Sequence, residues 1–307
     1  MAEPALLACD WGTTNLRAWT LDASGAVLVD RDLPLGVSRL AAGEAPRVFA
    51  EQVRPALGAE GLPAVLCGMV GSNLGWTTVP YRDCPATLAD LASAMTEAPG
   101  SPDVRIVPGV RSRGFDGQGD VMRGEETQLF GWLAQHPDHA RGRSLVCHPG
   151  THTKWMVVED GRLSDFVTAM TGELFAVLSK HSVLKSDAPP DDSGAFDAGL
   201  AAAGDGDALA ARLFTVRARV VGGGAAPETS SSYLSGLLIG ADVAATPQLL
   251  GAGAGGLSDE VVLLGDARLC ALYARALQAR GVATRAFDGE AAAVAGLRAL
   301  HLAGRSP

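Results

Sequence analysis

Three short stretches carry residue types able to hold a phosphate or move a proton. In Asp10-Trp11-Gly12-Thr13-Thr14-Asn15 an apolar run ends in an acid and turns on a glycine and two threonines, and Leu16 then resumes an alternating strand. Backbone N–H groups around Gly12 and the Thr13 and Thr14 hydroxyls can donate to phosphate oxygens, while Asp10 can hold a hydrated magnesium ion beside them. A plain hairpin, with Asp10 bonded to its own backbone, reads the same way. The second stretch is the polar turn Pro149-Gly150-Thr151-His152-Thr153-Lys154, set between apolar strand-like runs at 144–148 and 155–158. Two Gly-Thr hairpins therefore lie about half a chain apart. The third is Glu125-Glu126, which follows Arg123-Gly124 and opens a helical pattern through Leu129, Phe130, Trp132 and Leu133. One carboxylate there could take a proton from an alcohol, or both could simply complement the helix dipole.

The elements that must position these residues follow from periodicity. Residues 6–11, 16–22 and 26–33 read as an antiparallel meander, followed by a helix over 45–57, a buried strand over 63–67, a helix near 88–95 and a strand at 104–107. The loop Gly68-Met69-Val70-Gly71-Ser72-Asn73-Leu74-Gly75-Trp76 leaves the carboxyl end of a central strand, where ligands commonly bind. Gly71 permits close backbone approach, Ser72 and Asn73 can bond sugar oxygens, and Trp76 can cover a sugar face. A flexible surface loop with a buried tryptophan is the alternative. Residues 109–120 lack apolar pattern and read as a mobile loop. From Arg143 the three-strand order recurs, a weak internal duplication, and a mainly helical segment follows. A buried strand at 261–264 then runs into Gly265-Asp266 and a helix, and the last strand, 283–287, leads into an alanine-rich helix at 291–302.

Composition limits the class of function. With 307 residues the chain can bury two cores of ordinary size. Its 25 basic against 34 acidic residues, net −9, leave no basic excess for a nucleic-acid partner. Five scattered cysteines lack paired metal-ligand spacing and read as reduced thiols. No leader pattern or uncharged 18-residue apolar span is present, which favours a cytoplasmic protein without a membrane partner. No G-x-G-x-x-G follows the first strand, so a dinucleotide-binding oxidoreductase is excluded.

Two hairpins so placed resemble the actin-like, hexokinase-like and chaperone ATPase superfamily, and within it the chain resembles the 2-dehydro-3-deoxygalactonokinases. The resemblance is carried, in family order, by residues 10–19, Gly68 to Asn73, Met122 to Gln128, Pro149 to Trp155, Met170 to Leu174 and Leu234 to Ala241. It implies an α/β fold of two related ribonuclease H-like domains, 1–142 and 143–307, with an active-site cleft between them and the last helix, about 290–302, returning to the first. It implies ATP and magnesium as co-substrate and cofactor, and phosphorylation of 2-dehydro-3-deoxy-D-galactonate at O6. Gly12, Thr13, Thr14, Asn15, Arg17, Gly150, Thr151, His152, Thr153, Lys154 and Gly265 are then the nucleotide-binding expectation, with Asp10 as metal ligand. Gly71, Ser72, Asn73, Trp76 and Arg123 are expected at the sugar acid, Arg123 either at its carboxylate or, equally, in a solvent-facing or interdomain salt bridge. Glu125, ahead of Glu126, is expected as the base, and Asp120 stands next in line. Kinases of the gluconate epimer or a hexose, a catalytically silent sugar sensor and a homo-oligomeric assembly all stay open at this point.

Overall fold

A computed structural model describes residues 2–186, 188–190, 194–250 and 260–305. The first half builds a sheet from β1 (Pro4–Trp11), β2 (Leu16–Asp22), β3 (Val27–Leu33) and β4 (Ala64–Cys67). Between β3 and β4 lies a helical run over 45–57, made of α1 (Ala45–Val48), a π turn and α2 (Arg54–Leu57). Two strands, β5 (Arg82–Asp83) and β6 (Thr96–Ala98), flank α3 (Leu88–Ser93), and β7 (Ser101–Ile106) completes the sheet in the order β3-β2-β1-β4-β7-β6. β1 is central because Leu6, Leu7, Ala8 and Cys9 are apolar on both faces, and it pairs antiparallel with β2 and parallel with β4.

The second half repeats the plan. β10 (Arg143–His148), β11 (Thr153–Glu159) and β12 (Arg162–Ala169) form a meander, extended in parallel by β13 (Glu260–Gly265) and β14 (Ala283–Asp288) in the order β12-β11-β10-β13-β14. Its helices are α5 (Thr171–His181), α6 (Ala195–Ala203), α7 (Leu209–Leu213), α8 (Thr215–Val221), α9 (Ser230–Ala245), α10 (Ala267–Gln278) and α11 (Gly289–Ala303). This is the α/β arrangement expected of the superfamily. The remaining helix, α4 (Glu125–Gln135), comes just before the second sheet.

Between the sheets α4 and α11 pack against each other with glycine facing backbone. A Cβ on Gly131 would lie 1.8 Å from the Ala292 carbonyl oxygen, and one on Gly296 would lie 2.0 Å from that of Thr127. No larger residue fits at either position. The same core contains Ala8 and Cys67 from the first sheet, Leu129 and Leu133 from α4, Leu297 and Leu300 from α11, and Val146, Met156 and Val262 from the second sheet. Leu297 and Leu300 are fully buried, and each such side chain contributes about 1.5 to 3 kcal/mol of transfer free energy. Further support comes from N-caps: Asp288 accepts from the Ala291 N–H at 2.8 Å, and Asp266 from the Leu269 N–H at 3.0 Å.

Residues 109–120 depart from the expected loop. β8 (Val110–Ser112) and β9 (Asp120–Met122) pair with each other, and β8 also pairs with β5 to make a small third sheet. These strands are only two or three residues long, and a glycine-rich turn joins β8 to β9, so no apolar alternation announces them. This sheet sits on β12: the Ser112 hydroxyl donates to the Phe166 carbonyl at 3.1 Å, and Asp120 accepts from the Thr168 N–H at 2.6 Å and its hydroxyl at 2.7 Å. Asp120 is thereby tied to β12, which removes it as the reserve base. All five cysteines are free, as expected.

Candidate active site

The site is assembled at strand ends. Asp10 is the penultimate residue of β1, Gly68 follows β4, and Gly124 precedes α4; a Cβ on Gly68 would lie 3.0 Å from Asp10 Oδ1, and one on Gly124 would lie 3.9 Å from it. Gly124 has φ 117°, a conformation that side-chain-bearing residues rarely adopt, and this turn points the two following glutamates in different directions. Glu125 keeps 21% of its side chain accessible, whereas Glu126 has no accessible surface. That difference decides which of them a substrate can reach.

Their electrostatics diverge with their surroundings. Burial raises the Glu126 carboxyl to about 8, with Glu125 adding to the effect, so it is protonated at neutral pH. Its oxygens accept from the Gly124 N–H at 2.7 Å and the Thr127 hydroxyl at 3.1 Å. Glu126 therefore braces the turn, which corrects its placement among the proton acceptors. Burial would also raise Glu125, but Lys154 Nζ at 3.2 Å and nearby His148 outweigh it and hold the carboxyl below its ordinary range. Glu125 is ionised at neutral pH. Burial, followed by Glu125, lifts Asp10 to about 6, opposed by Arg17 and the Cys67 thiol.

The first hairpin is held from behind and open in front. Gly36, Val37 and Ser38 donate their N–H groups to the carbonyls of Thr14, Gly12 and Thr13 at 3.0 to 3.1 Å, while the Thr13 and Thr14 side chains are exposed. The Gly12 N–H is taken by the Asn15 carbonyl at 2.9 Å, and the Asn15 amide donates to Asp32 at 3.2 Å. Both are thus engaged within the chain. Arg17 lies opposite Asp10 on β2 and is exposed.

The second hairpin is shorter than the sequence suggests, because Thr153 and Lys154 already belong to β11 and are buried. The Thr153 hydroxyl bonds the Tyr273 hydroxyl at 2.8 Å, so it faces the core and not a phosphate. Lys154 donates to the His152 carbonyl at 3.1 Å, which ties it to the turn, and faces Glu125. Gly150, Thr151 and His152 remain at the turn, His152 against Glu173. His148, which ends β10 where Asp10 nearly ends β1, bonds Gln128 at 2.9 Å. Neither His148 nor Gln128 stood among the expected site residues. Superposing the two hairpins in sequence would have pointed to His148, since it precedes Pro149-Gly150 as Asp10 precedes Trp11-Gly12.

Beside this hairpin lies a cavity of about 460 Å³ between Gly150, Thr171 and Gly172 on one side and Leu238, Ile239, Asp266, Leu269 and Tyr273 on the other. Gly265 packs at its edge, where a Cβ would lie 3.6 Å from the Pro149 carbonyl oxygen.

The sugar-acid loop differs from expectation at two residues. The Ser72 hydroxyl donates to the Met69 carbonyl at 2.7 Å and accepts from the Leu74 N–H at 3.2 Å, so it shapes the loop. Trp76 packs on Phe49, ring centroids 5.5 Å apart, and donates to the Pro99 carbonyl at 3.3 Å; apolar burial holds it to the core. Asn73 stays exposed. Arg123 is 9% exposed, stacks over Tyr81 at 4.4 Å and donates Nη2 to the Val79 carbonyl at 2.8 Å. Its Nε and Nη1 are buried without a partner among the described residues. Gly71 lies against Nη1, where a Cβ would be only 2.8 Å away.

A family model described as 2-keto-3-deoxy-galactonokinase matches residues 10–300. The chain belongs to that family. It is 38% identical over 296 residues to the 2-dehydro-3-deoxygalactonokinase of Escherichia coli (strain K12), covering 96% of each chain. A Sinorhizobium meliloti crystal structure assigned as a 2-dehydro-3-deoxygalactonokinase is 37% identical and superposes with a TM-score of 0.85 over 96% of this chain and 97% of that one. The activator of 2-hydroxyisocaproyl-CoA dehydratase from Clostridium difficile, solved with bound ADPNP, shares the fold at 14% identity, with a TM-score of 0.53 over 97% and 95% of the two chains. No helix among the described residues is long and apolar enough to cross a membrane.

Proposed function

We propose that the chain transfers the γ-phosphoryl group of ATP to O6 of 2-dehydro-3-deoxy-D-galactonate, giving the 6-phosphate and ADP in galactonate catabolism in the cytoplasm. The observation that carries this reading is Glu125, a reachable carboxylate kept ionised by Lys154 between the Asp10 hairpin and the Gly150 hairpin. Glu125 orients the primary hydroxyl and accepts its proton as the bond to phosphorus forms. The exposed Thr13, Thr14 and Thr151 and the cation Arg17 provide donors for phosphate oxygens, and adenosine occupies the cavity walled by Leu238, Ile239 and Tyr273. The family relationship to the Escherichia coli enzyme supports the choice of substrate.

Magnesium fits the residues present. Asp10 is a half-buried carboxylate that forms no ion pair among the described residues, and magnesium binds through one or two carboxylates together with waters and phosphate oxygens. When bound it neutralises charge on the phosphates. Arg123 provides the complement for the substrate carboxylate. A buried guanidinium with two unpaired nitrogens is costly unless an anion meets it, and the Gly68–Gly75 loop must yield to admit one. Two domains, 1–142 and 143–307, close over the substrates to exclude water.

A coupled ADP-release assay with magnesium, ATP and both epimeric sugar acids tests the reading. Turnover should be fastest with the galactonate-derived acid. No ADP release above background with any sugar acid, from folded protein, sinks it.

A further inference from the structure

Behind the cavity lies a buried acid that the expected site residues did not include. Asp242 of α9 is 5% exposed and accepts three hydrogen bonds: from Trp155 Nε1 at 2.9 Å, the Thr171 hydroxyl at 2.7 Å and the Tyr273 hydroxyl at 2.6 Å. The Tyr273 hydroxyl also bonds that of Thr153 at 2.8 Å. No lysine, arginine or histidine forms an ion pair with Asp242 among the described residues, so hydrogen bonds alone hold it.

The donors come from three different walls. Trp155 and Thr153 lie on β11, the strand by which the second hairpin returns. Thr171 opens α5, which braces the hairpin tip: the Glu173 N–H donates to the Thr151 carbonyl at 2.9 Å, and a Cβ on Gly172 would lie 2.4 Å from the Gly150 carbonyl oxygen. Tyr273 belongs to α10. Thr171 and Tyr273 line the cavity of about 460 Å³, and Asp242 does not.

We propose that Asp242 is a positioning residue for nucleotide binding: one carboxylate fixes the return strand of the phosphate hairpin, the helix start that supports its tip, and the facing wall of the cavity. The proposal rests on the reading of that cavity as the nucleotide site. Because Asp242 does not itself line the cavity, its removal acts through the groups it holds. Three buried donors are released at once, and the walls are free to shift relative to the hairpin.

The test is steady-state kinetics of Asp242→Ala and Asp242→Asn with ATP and the sugar acid, alongside thermal unfolding. For Asp242→Ala the KM for ATP should rise about tenfold, while the KM for the sugar acid stays within about twofold. Asp242→Asn keeps an acceptor for Trp155, and the two hydroxyls can turn to accept from its amide, so it should restore the KM for ATP to within about threefold of wild type. A folded Asp242→Ala with an unchanged KM for ATP, or with both KM values raised alike, overturns the proposal. If Asp242→Ala does not fold, Trp155→Phe decides, because it removes one of the three donors at a residue that does not line the cavity. It should raise the KM for ATP several-fold with the KM for the sugar acid unchanged, and an unchanged KM for ATP in the folded variant overturns the proposal. Failure of the wild-type protein to use ATP refutes the nucleotide reading itself, an outcome distinct from normal turnover with an unresponsive Asp242→Ala.

Discussion

Replacing Asp10 by asparagine should separate stability from catalysis. Burial and the neighbouring Glu125 raise this carboxyl from 3.8 to about 6. For an acid whose folded pKa is raised, the unfolded chain releases its proton first, so stability falls as pH climbs from the ordinary value through the folded one and levels off above it. A shift of about two units corresponds to on the order of 3 kcal/mol lost by neutral pH. Asp10→Asn removes the charge while keeping the shape, so it should gain up to about 3 kcal/mol at pH 7, a rise of several degrees in Tm, and almost nothing near pH 4. Turnover should nevertheless fall by about 10² or more, because a charge aimed at the phosphate and its metal has gone. Thermal unfolding without nucleotide across this pH range, paired with the ADP-release assay, reads both effects. A variant less stable than wild type at neutral pH would refute the electrostatic reasoning, and ordinary turnover at ordinary magnesium would refute the catalytic role.

The two glutamates should part ways. Glu125→Gln should lose about 10² to 10⁴ in kcat, whereas Glu126→Gln, replacing an acid already protonated, should stay within a few-fold; near-normal turnover in both would remove Glu125 as the base. The wild-type protein should lose stability as pH rises toward about 8 through the raised carboxyl of Glu126, and Glu126→Gln should flatten that slope, a comparison that denaturant titrations at several pH values settle. Arg123→Met should raise the KM for the sugar acid by about tenfold or more while leaving the KM for ATP and the Tm near wild type, since it removes a buried charge that lacks two partners; a marked drop in Tm would mark Arg123 as structural. Solution scattering should show a more compact particle with both substrates bound, and superimposable profiles with and without them would count against closure.

Much of the site was legible in local pattern. Asp10-Trp11-Gly12 and Pro149-Gly150-Thr151 are hairpins because apolar strand runs flank glycine-bearing turns, and both form where the pattern places them. Lys154 and Thr153 were misread because they are polar residues at a strand entrance, where composition resembles a turn. Their burial comes from α10 and α4, which lie far off in sequence. Trp76 likewise has no local marker to say whether its ring covers a sugar or packs on Phe49.

By itself, then, the sequence determined the order of the main strands and helices, the duplicated meander, the two hairpins and the helix start at Glu125-Glu126, since each depends on residues within a few positions of one another. Only the tertiary structure decided which glutamate is ionised and reachable, that Arg123 carries unpaired nitrogens, and that Asp242 joins three walls. A carboxyl's proton affinity and a side chain's burial depend on what the folded chain brings within a few ångströms. For Glu125 that is Lys154, which arrives from the other sheet and is adjacent in space and nowhere near in sequence.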